Sequence, residues 1–159
     1  TFPINGSFSK TQKQIYQIVL SAQKSAIASI KPGEKVNTPH EIACDIISRE
    51  LTKLGIMKEL NNLSEFYMHK TGHWLGLDVH DVGEYEIDND FRDFEEGMVT
   101  TVEPGIYIRK NDKIDPKYWN IGIRIEDDVL VTKDGNHVLS KSAVKEVKDI
   151  EYLMSQNIT

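Results

Sequence analysis

The stretch Ile121-Gly-Ile-Arg-Ile-Glu126 alternates apolar and polar positions residue by residue, a period of two that suits a strand with one buried face. Ile121, Ile123 and Ile125 supply a core, and Arg124 and Glu126 stand together on the opposite face. Taken alone, that pair reads equally well as a surface ion pair, an interaction worth little. The strand pattern continues to Thr132, so one strand is predicted over 121–132.

Two further segments carry related signals. Val99 to Ile108 reads as a strand, with Thr101 and Glu103 on one face and Pro104-Gly105 following at once. Proline removes a ladder donor, so this point must be a bulge, an edge or a special turn, and a turn there aims Glu103 into a cleft. The plainer reading is an ordinary strand end. Trp74 to His80 also alternates and is predicted as a strand. His69, His73 and His80 fall within twelve residues and are three of the five histidines in the chain. Gly72 and Gly76 beside them permit close backbone approach. A single histidine is more often structural, but three together beside glycines point to a site. One imidazole with two carboxylates, His73 with Glu103 and Glu126, suits a divalent ion such as Mn²⁺ or Zn²⁺. His40, in the first turn of a helix, and His137, in a turn, are read as surface residues.

The rest of the chain reads as helices and short connections. Ser9 to Ile30 has a capping box in Ser9-Lys-Thr-Gln12 and an apolar stripe of Ile15, Ile18, Val19, Ala22 and Ala26, closed by Pro32-Gly33. A second helix opens at Thr38-Pro39-His40-Glu41, with Thr38 as cap and Glu41 completing the box, and stops at Gly55. Cys44, beside its apolar stripe, is expected to be a buried small hydrophobe. Asn61 to Tyr67 is expected to be a short helix or loop. The acidic stretch Glu84–Glu96 lacks the glycine and ligand spacing of a Ca²⁺ loop and is read as a solvated loop. Asp134-Gly135-Asn136 is predicted as a hairpin turn, and Val147–Met154 as a terminal helix. Two helices followed by mostly antiparallel strands give an α+β layer.

With 159 residues, 39% of them hydrophobic, the chain can bury one real core. Its net charge of −6, with no run of Lys or Arg, argues against nucleic acid as a partner. No apolar run approaches membrane-spanning length and the N-terminus carries no signal-peptide pattern, so no membrane partner is expected. The single cysteine allows no intrachain disulfide and is consistent with a reducing cytoplasm, the location expected here. The opening Thr1-Phe-Pro-Ile-Asn-Gly6 has no initiator methionine, and the chain is expected to be a piece of a longer protein.

Three stretches together, His69-x-x-x-His73-Trp-Leu-Gly-Leu-Asp-Val-His80-Asp-Val-Gly83, Gly97-Met-Val-x-Thr-Val-Glu-Pro-Gly-Ile-Tyr-Ile108 and Gly122-Ile-Arg-Ile-Glu-Asp-Asp-Val-Leu-Val-Thr132, resemble the pita-bread metallopeptidases and, within them, the bacterial Xaa-Pro aminopeptidases. The likeness runs over essentially the whole chain, from Thr1-Phe-Pro-x-Asn-Gly to Ile150-Glu-x-Leu-Met154. It implies part of a pita-bread fold, a curved, mostly antiparallel sheet with helices on one face. It also implies two divalent ions, Mn²⁺ most often, with His73, Glu103 and Glu126 among their ligands and Glu126 bridging both. His80 matches the histidine that contacts substrate at the scissile bond, and His69 another active-site histidine. Arg124 and Tyr107 match groups that orient the carboxylate ligands.

The reaction implied is two-metal hydrolysis of the bond before proline, removing the first residue of a peptide with an Xaa-Pro N-terminus. Glu103 would pass a proton to the leaving nitrogen, and His80 would hydrogen-bond the substrate. Two aspartate ligands of the family precede its Thr-Phe-Pro and have no counterpart here. Residues 1–159 are therefore expected to be the C-terminal part of a catalytic domain, inactive alone and either self-associating or part of a homo-oligomer. A prolidase, which cleaves only dipeptides, and a metal-free pita-bread binding module are the other readings. The presence of all three ligand residues favours an enzyme over the binding module.

Overall fold

The computed structural model describes residues 1–58 and 60–156. Helix α1 (Lys10–Ser29) starts as its sequence predicts. The Ser9 hydroxyl accepts the Gln12 N–H and the Gln12 side chain accepts the Ser9 N–H, so two orphan donors are satisfied reciprocally. Helix α2 (Thr38–Lys53) packs along α1. Its start differs from expectation. Asn37 occupies the cap without a side-chain bond to the helix backbone. The Thr38 hydroxyl instead donates to Glu34, and Glu41 accepts from the Asn37 amide. Gly55, at φ 69°, takes the left-handed position that ends the helix. A short 3₁₀ helix spans Leu60–Glu65, in keeping with the helix-or-loop expectation.

The sheet is built from short antiparallel pairs. Strands β1 (Glu86–Ile87) and β2 (Asp90–Phe91) form a small exposed hairpin. Asp88 and Asn89 both have positive φ between them, as a type I′ turn requires. The acidic stretch is thus exposed as predicted, but it contains a hairpin rather than being loop throughout. Strand β3 (Val99–Val102) pairs with β6 (Asp127–Thr132), which pairs with β7 (Gly135–Val138). Strand β4 (Gly105–Ile108) pairs with β5 (Ile121–Arg124). The β6–β7 turn falls at Lys133-Asp134, a residue earlier than predicted, because Gly135 already pairs with Thr132. Helix α3 (Val147–Ser155) closes the chain.

Two predicted strands are each divided. Residues 99–108 break at Glu103-Pro104, and residues 121–132 break at Ile125-Glu126, because Pro104 has no N–H with which to continue the ladder. The predicted strand Trp74–His80 is not one. Only Trp74 bridges, to Thr100, and residues 76–80 are a string of bends with Leu77 and Val79 exposed. Alternation alone misled there, since Trp74 enters the core but Leu77 and Val79 do not.

Helix α1 carries both halves of the core. Ile15, Val19 and Ala22 pack with α2 and with Ile106, Ile108 and Ile123, and Ala26 packs with Trp74, Phe94, Val102 and Val129. The isoleucine face of 121–125 is buried as predicted, with Arg124 and Glu126 on the exposed side. Between the two halves sits one buried carboxylate, Asp127. It accepts from Gln23 Nε2 at 2.7 Å, from Ser140 Oγ at 2.7 Å and from Lys145 Nζ at 2.7 Å, so it ties α1, β6 and the loop before α3 together. Removing one partner of such a cluster leaves the others desolvated and unpaired. Asp127→Ala is expected to cost about 3 kcal/mol, the low end for breaking a buried ion pair because Lys145 retains some access to water. Urea denaturation measures this, and a midpoint unchanged from the parent chain would show that the cluster contributes nothing.

Candidate metal centre

The two ladders share one register. In both, the numbers of paired residues add to the same constant, as in Val102↔Asp127 and Gly105↔Arg124. The interruption therefore skips bonds but not positions. Glu103 faces Glu126 across the gap, and Pro104 faces Ile125, joined only by the Ile125 N–H to Pro104 carbonyl contact at 3.4 Å. A proline break in an otherwise continuous ribbon thus sets two carboxylates opposite each other.

His73 reaches the same point from the neighbouring segment. Glu103 N–H donates to the Thr71 carbonyl at 2.6 Å and Thr101 N–H to the His73 carbonyl at 3.0 Å, so residues 71–73 run beside β3. Gly72 makes this approach possible, because a Cβ there would lie 2.0 Å from the Thr101 carbonyl oxygen. Gly76 serves similarly, with the Asp81 carboxylate in the place of its missing side chain. The expected close backbone approach beside His73 is found at Gly72, whereas at Gly76 the close neighbour is a side-chain carboxylate rather than backbone.

One donor atom from each of His73, Glu103 and Glu126 lies within 4.8 Å of the others. His73 Nδ1 is 3.0 Å from the Trp74 carbonyl, which fixes its proton there and leaves Nε2 with a free lone pair. That lone pair lies 3.2 Å from Glu103 Oε1. Two acceptors held this close, with a second carboxylate alongside, fit a cation between them. The imidazole-and-carboxylate set is one a borderline or hard divalent ion accepts.

Around the ligands runs a chain of polar contacts. Thr101 Oγ1 donates to Glu103 Oε1 at 3.1 Å. Arg124 Nη1 lies 3.3 Å from Glu103 Oε2, and Arg124 Nε donates to the Tyr107 hydroxyl at 2.8 Å. That hydroxyl is 2.8 Å from His69 Nε2, and His69 Nδ1 is 2.8 Å from the Lys70 carbonyl. His80 is exposed, with its ring centroid 4.3 Å from that of His73. All seven residues singled out in the sequence, His69, His73, His80, Glu103, Tyr107, Arg124 and Glu126, therefore converge. Six of them reach the site through hydrogen bonds, ion pairs or the ligand cluster, and His80 through an edge-to-face contact with His73. A cleft of about 600 Å³ opens beside them, lined also by Trp74, Tyr85 and Phe94.

Sequence reasoning missed one histidine. His40 is not a surface residue. It is half-buried, lines the same cleft, and places Nδ1 2.9 Å from Thr71 Oγ1. Burial, with Lys70 and His69 nearby, holds its imidazole below the usual histidine range. Cys44 is likewise half-buried rather than fully buried, with its sulfur 3.6 Å from His40 Nε2. His137 is exposed, as read, but it lies in β7 opposite Leu130 rather than in a turn. Nothing local in the sequence announces that the start of α2 abuts Thr71, so His40 offered no signal beyond its residue type.

Comparison with known proteins follows the same line. Residues 1–133 match the description Metallopeptidase family M24. The chain belongs to that family. It is 47% identical to an Xaa-Pro aminopeptidase of Haemophilus influenzae, over 98% of this chain and 37% of that protein. It is 39% identical to human Xaa-Pro aminopeptidase 3, over 98% of this chain and 32% of the relative. The structure of Pseudomonas aeruginosa aminopeptidase PepP superposes with a TM-score of 0.93 at 46% identity, covering 97% of this chain and 37% of that one. A zinc-substituted Escherichia coli aminopeptidase P with bound product superposes with a TM-score of 0.89 at 43% identity, covering 96% and 36%. The fold is thus that of the pita-bread aminopeptidases P, and the chain spans about a third of the length of these relatives. Membership in a metallopeptidase family implies divalent metal, which the His73–Glu103–Glu126 set fits.

Burial, the facing Glu103 and the nearby Asp128 all push the Glu126 carboxyl above its ordinary value of 4.5, against smaller opposing effects of Arg124 and His73. The folded chain then holds this proton more tightly than the unfolded one. That contribution to stability is complete below the unfolded glutamate value and is lost as pH rises through the folded value. In the presence of a chelator, the chain is expected to lose stability as pH climbs above the normal carboxylate range. Glu126→Gln should flatten that limb, and a saturating divalent ion should reverse it. Thermal melts across pH check this, and a parent limb identical to that of the Gln variant would remove the repulsion argument.

Proposed function

We propose that this chain is the C-terminal part of the catalytic domain of an Xaa-Pro aminopeptidase, acting in the cytoplasm on peptides with an Xaa-Pro N-terminus. The observation that carries the reading is the convergence of His73 Nε2, Glu103 and Glu126 within 4.8 Å, surrounded by His69, His80, Tyr107 and Arg124. The high identity to Xaa-Pro aminopeptidases over nearly the whole chain supports it. The Thr1 hydroxyl hydrogen-bonds both backbone groups of Arg124, so Thr1 lies beside the strand that carries this site residue.

His73 Nε2, Glu103 and Glu126 would hold divalent metal, Mn²⁺ in our reading and two ions in the complete domain. When bound, the metal supplies an activated water and Lewis-acid charge near the scissile carbonyl. The chain's own residues do the rest. Glu103 accepts the water proton on a carboxylate oxygen and delivers it to the leaving proline nitrogen. Thr101 and Arg124 hold that carboxylate in one orientation, and Tyr107 holds Arg124. His80, exposed and set edge-on to His73, donates to the substrate carbonyl oxygen as charge develops. His69 keeps Tyr107 in place and borders the substrate cleft. The proton-transfer role predicts that Glu103→Gln in the full-length protein lowers kcat by roughly 10²–10⁴ while the variant remains folded. Turnover of an Xaa-Pro peptide at the parent rate would refute the assignment.

With three ligand side chains, residues 1–159 alone should bind Mn²⁺ weakly and release no first residue from an Xaa-Pro peptide. Calorimetric titration and a peptide assay on this chain test both parts, and Mn²⁺-dependent release would overturn the second. We also propose that this chain self-associates. Leu77, Val79 and Val82, in the loop around His80, are all exposed apolar side chains. Light scattering decides that point, and a monodisperse monomer would exclude it.

A further inference from the structure

Tyr67, Thr71 and His40 take no part in the ligand set, yet they form one connected line of polar atoms behind it. Tyr67 and Thr71 are buried. The Tyr67 hydroxyl meets Thr71 Oγ1, and the same oxygen lies 2.9 Å from His40 Nδ1. The proton directions follow by elimination. A buried phenol without an acceptor is costly, so Tyr67 donates to Thr71. Thr71 has a single proton to give, and it goes to His40 Nδ1, which must be the unprotonated nitrogen. The ring proton then sits on Nε2, turned toward Cys44 Sγ at 3.6 Å. The other charged groups near the imidazole are Lys70, His69 and Glu41. Protonating Nδ1 would make Thr71 Oγ1 accept from His40 and leave either the Thr71 or the Tyr67 hydroxyl proton without an acceptor.

Thr71 couples this line to the metal centre. Its carbonyl accepts the Glu103 N–H at 2.6 Å, and Gly72, the next residue, is pressed against the Thr101 carbonyl. His73 follows on the same stretch, donating its N–H to Thr101 Oγ1 and accepting the Thr101 N–H on its carbonyl. Any rotation of Thr71 therefore moves the backbone carrying one ligand and releases the backbone carrying another. Side chains that orient ligands from behind tune affinity and activity without touching the ion.

We propose that His40 is a positioning residue. Together with Tyr67 it clamps the Thr71 hydroxyl and so holds residues 71–73 against residues 101–103, fixing the Glu103 carboxylate and the His73 imidazole relative to each other. Its functional meaning rests on the ligand assignment proposed above, whereas its geometric meaning does not.

The test uses the full chain and two independent readouts. The first is amide hydrogen exchange of Glu103 without metal, compared with amides of the β6–β7 ladder. The second is Mn²⁺ affinity by calorimetry. Thr71→Val and His40→Leu are expected to speed Glu103 exchange at least about tenfold, leave β6–β7 exchange within about twofold, and weaken Mn²⁺ binding about tenfold. Thr71→Ser keeps the hydroxyl, and His40→Asn sets an amide oxygen where Nδ1 stands, so both should restore the parent values. Unchanged Glu103 exchange, or an equal rise at every amide, would overturn the proposal by showing no role or a merely global one. If Thr71→Val fails to fold, Tyr67→Phe, which deletes a single hydroxyl, is read by the same criteria. A parent chain that binds no Mn²⁺ would sink the ligand assignment, and the exchange measurement would still decide the clamp.

Discussion

Two carboxylates held face to face across an antiparallel ribbon repel each other, and the arrangement around Glu103 and Glu126 is organised by that fact. The ribbon brings them together because its register passes unbroken through a proline that cannot hydrogen-bond. Arg124, one residue before the break in β5, neutralises part of the charge, and Tyr107 and His69 hold Arg124. Thr101 binds one carboxylate oxygen from the same strand. None of these contacts removes the second negative charge. A cation does, which is why a fold that invests an isoleucine core and a buried Asp127 cluster in stiffening this ribbon reads as a metal holder. Stiffness matters because repelling groups separate wherever the backbone lets them.

That stiffness has a division of labour. The isoleucine face of β5 and the apolar face of α1 supply non-directional burial. The directional part is polar and lies on both sides of the ligands. Asp127 locks β6 to α1 and to the loop before α3, immediately after Glu126 in the chain. Thr71 locks the His73 stretch to β3. Each ligand thus adjoins a point where buried hydrogen bonds, rather than packing alone, decide backbone position.

Much of this was legible in the sequence because strand alternation and ligand chemistry agree over 121–126. The isoleucines announced the buried face, and Arg124 and Glu126 announced what stood opposite. The pairing of Glu103 with Glu126 was less legible, because register depends on the connection between β4 and β5, in which Asn120 sits in a left-handed conformation. Pro104 signalled a break but not its outcome. Trp74–His80 shows the reverse failure: its alternation was real, but no described sheet or core receives Leu77 and Val79, so the backbone bends instead. His40 was invisible for a topological reason. Its neighbour Thr71 lies 31 positions away in sequence, and no local pattern encodes that meeting.

The shared register of the two ladders has a bearing on how this chain can vary. Between Glu103 and Ile108, or between Ile121 and Glu126, adding or deleting one residue would turn every following side chain to the other face and carry a carboxylate into the isoleucine core. Between Arg109 and Asn120 the same change would leave the facing positions untouched, provided the ends of the connection still meet. The 12 residues from Arg109 to Asn120 are therefore the natural place for length to differ among proteins sharing this centre, and for an engineer to graft a segment. The ribbon itself behaves as a ruler whose divisions cannot be moved.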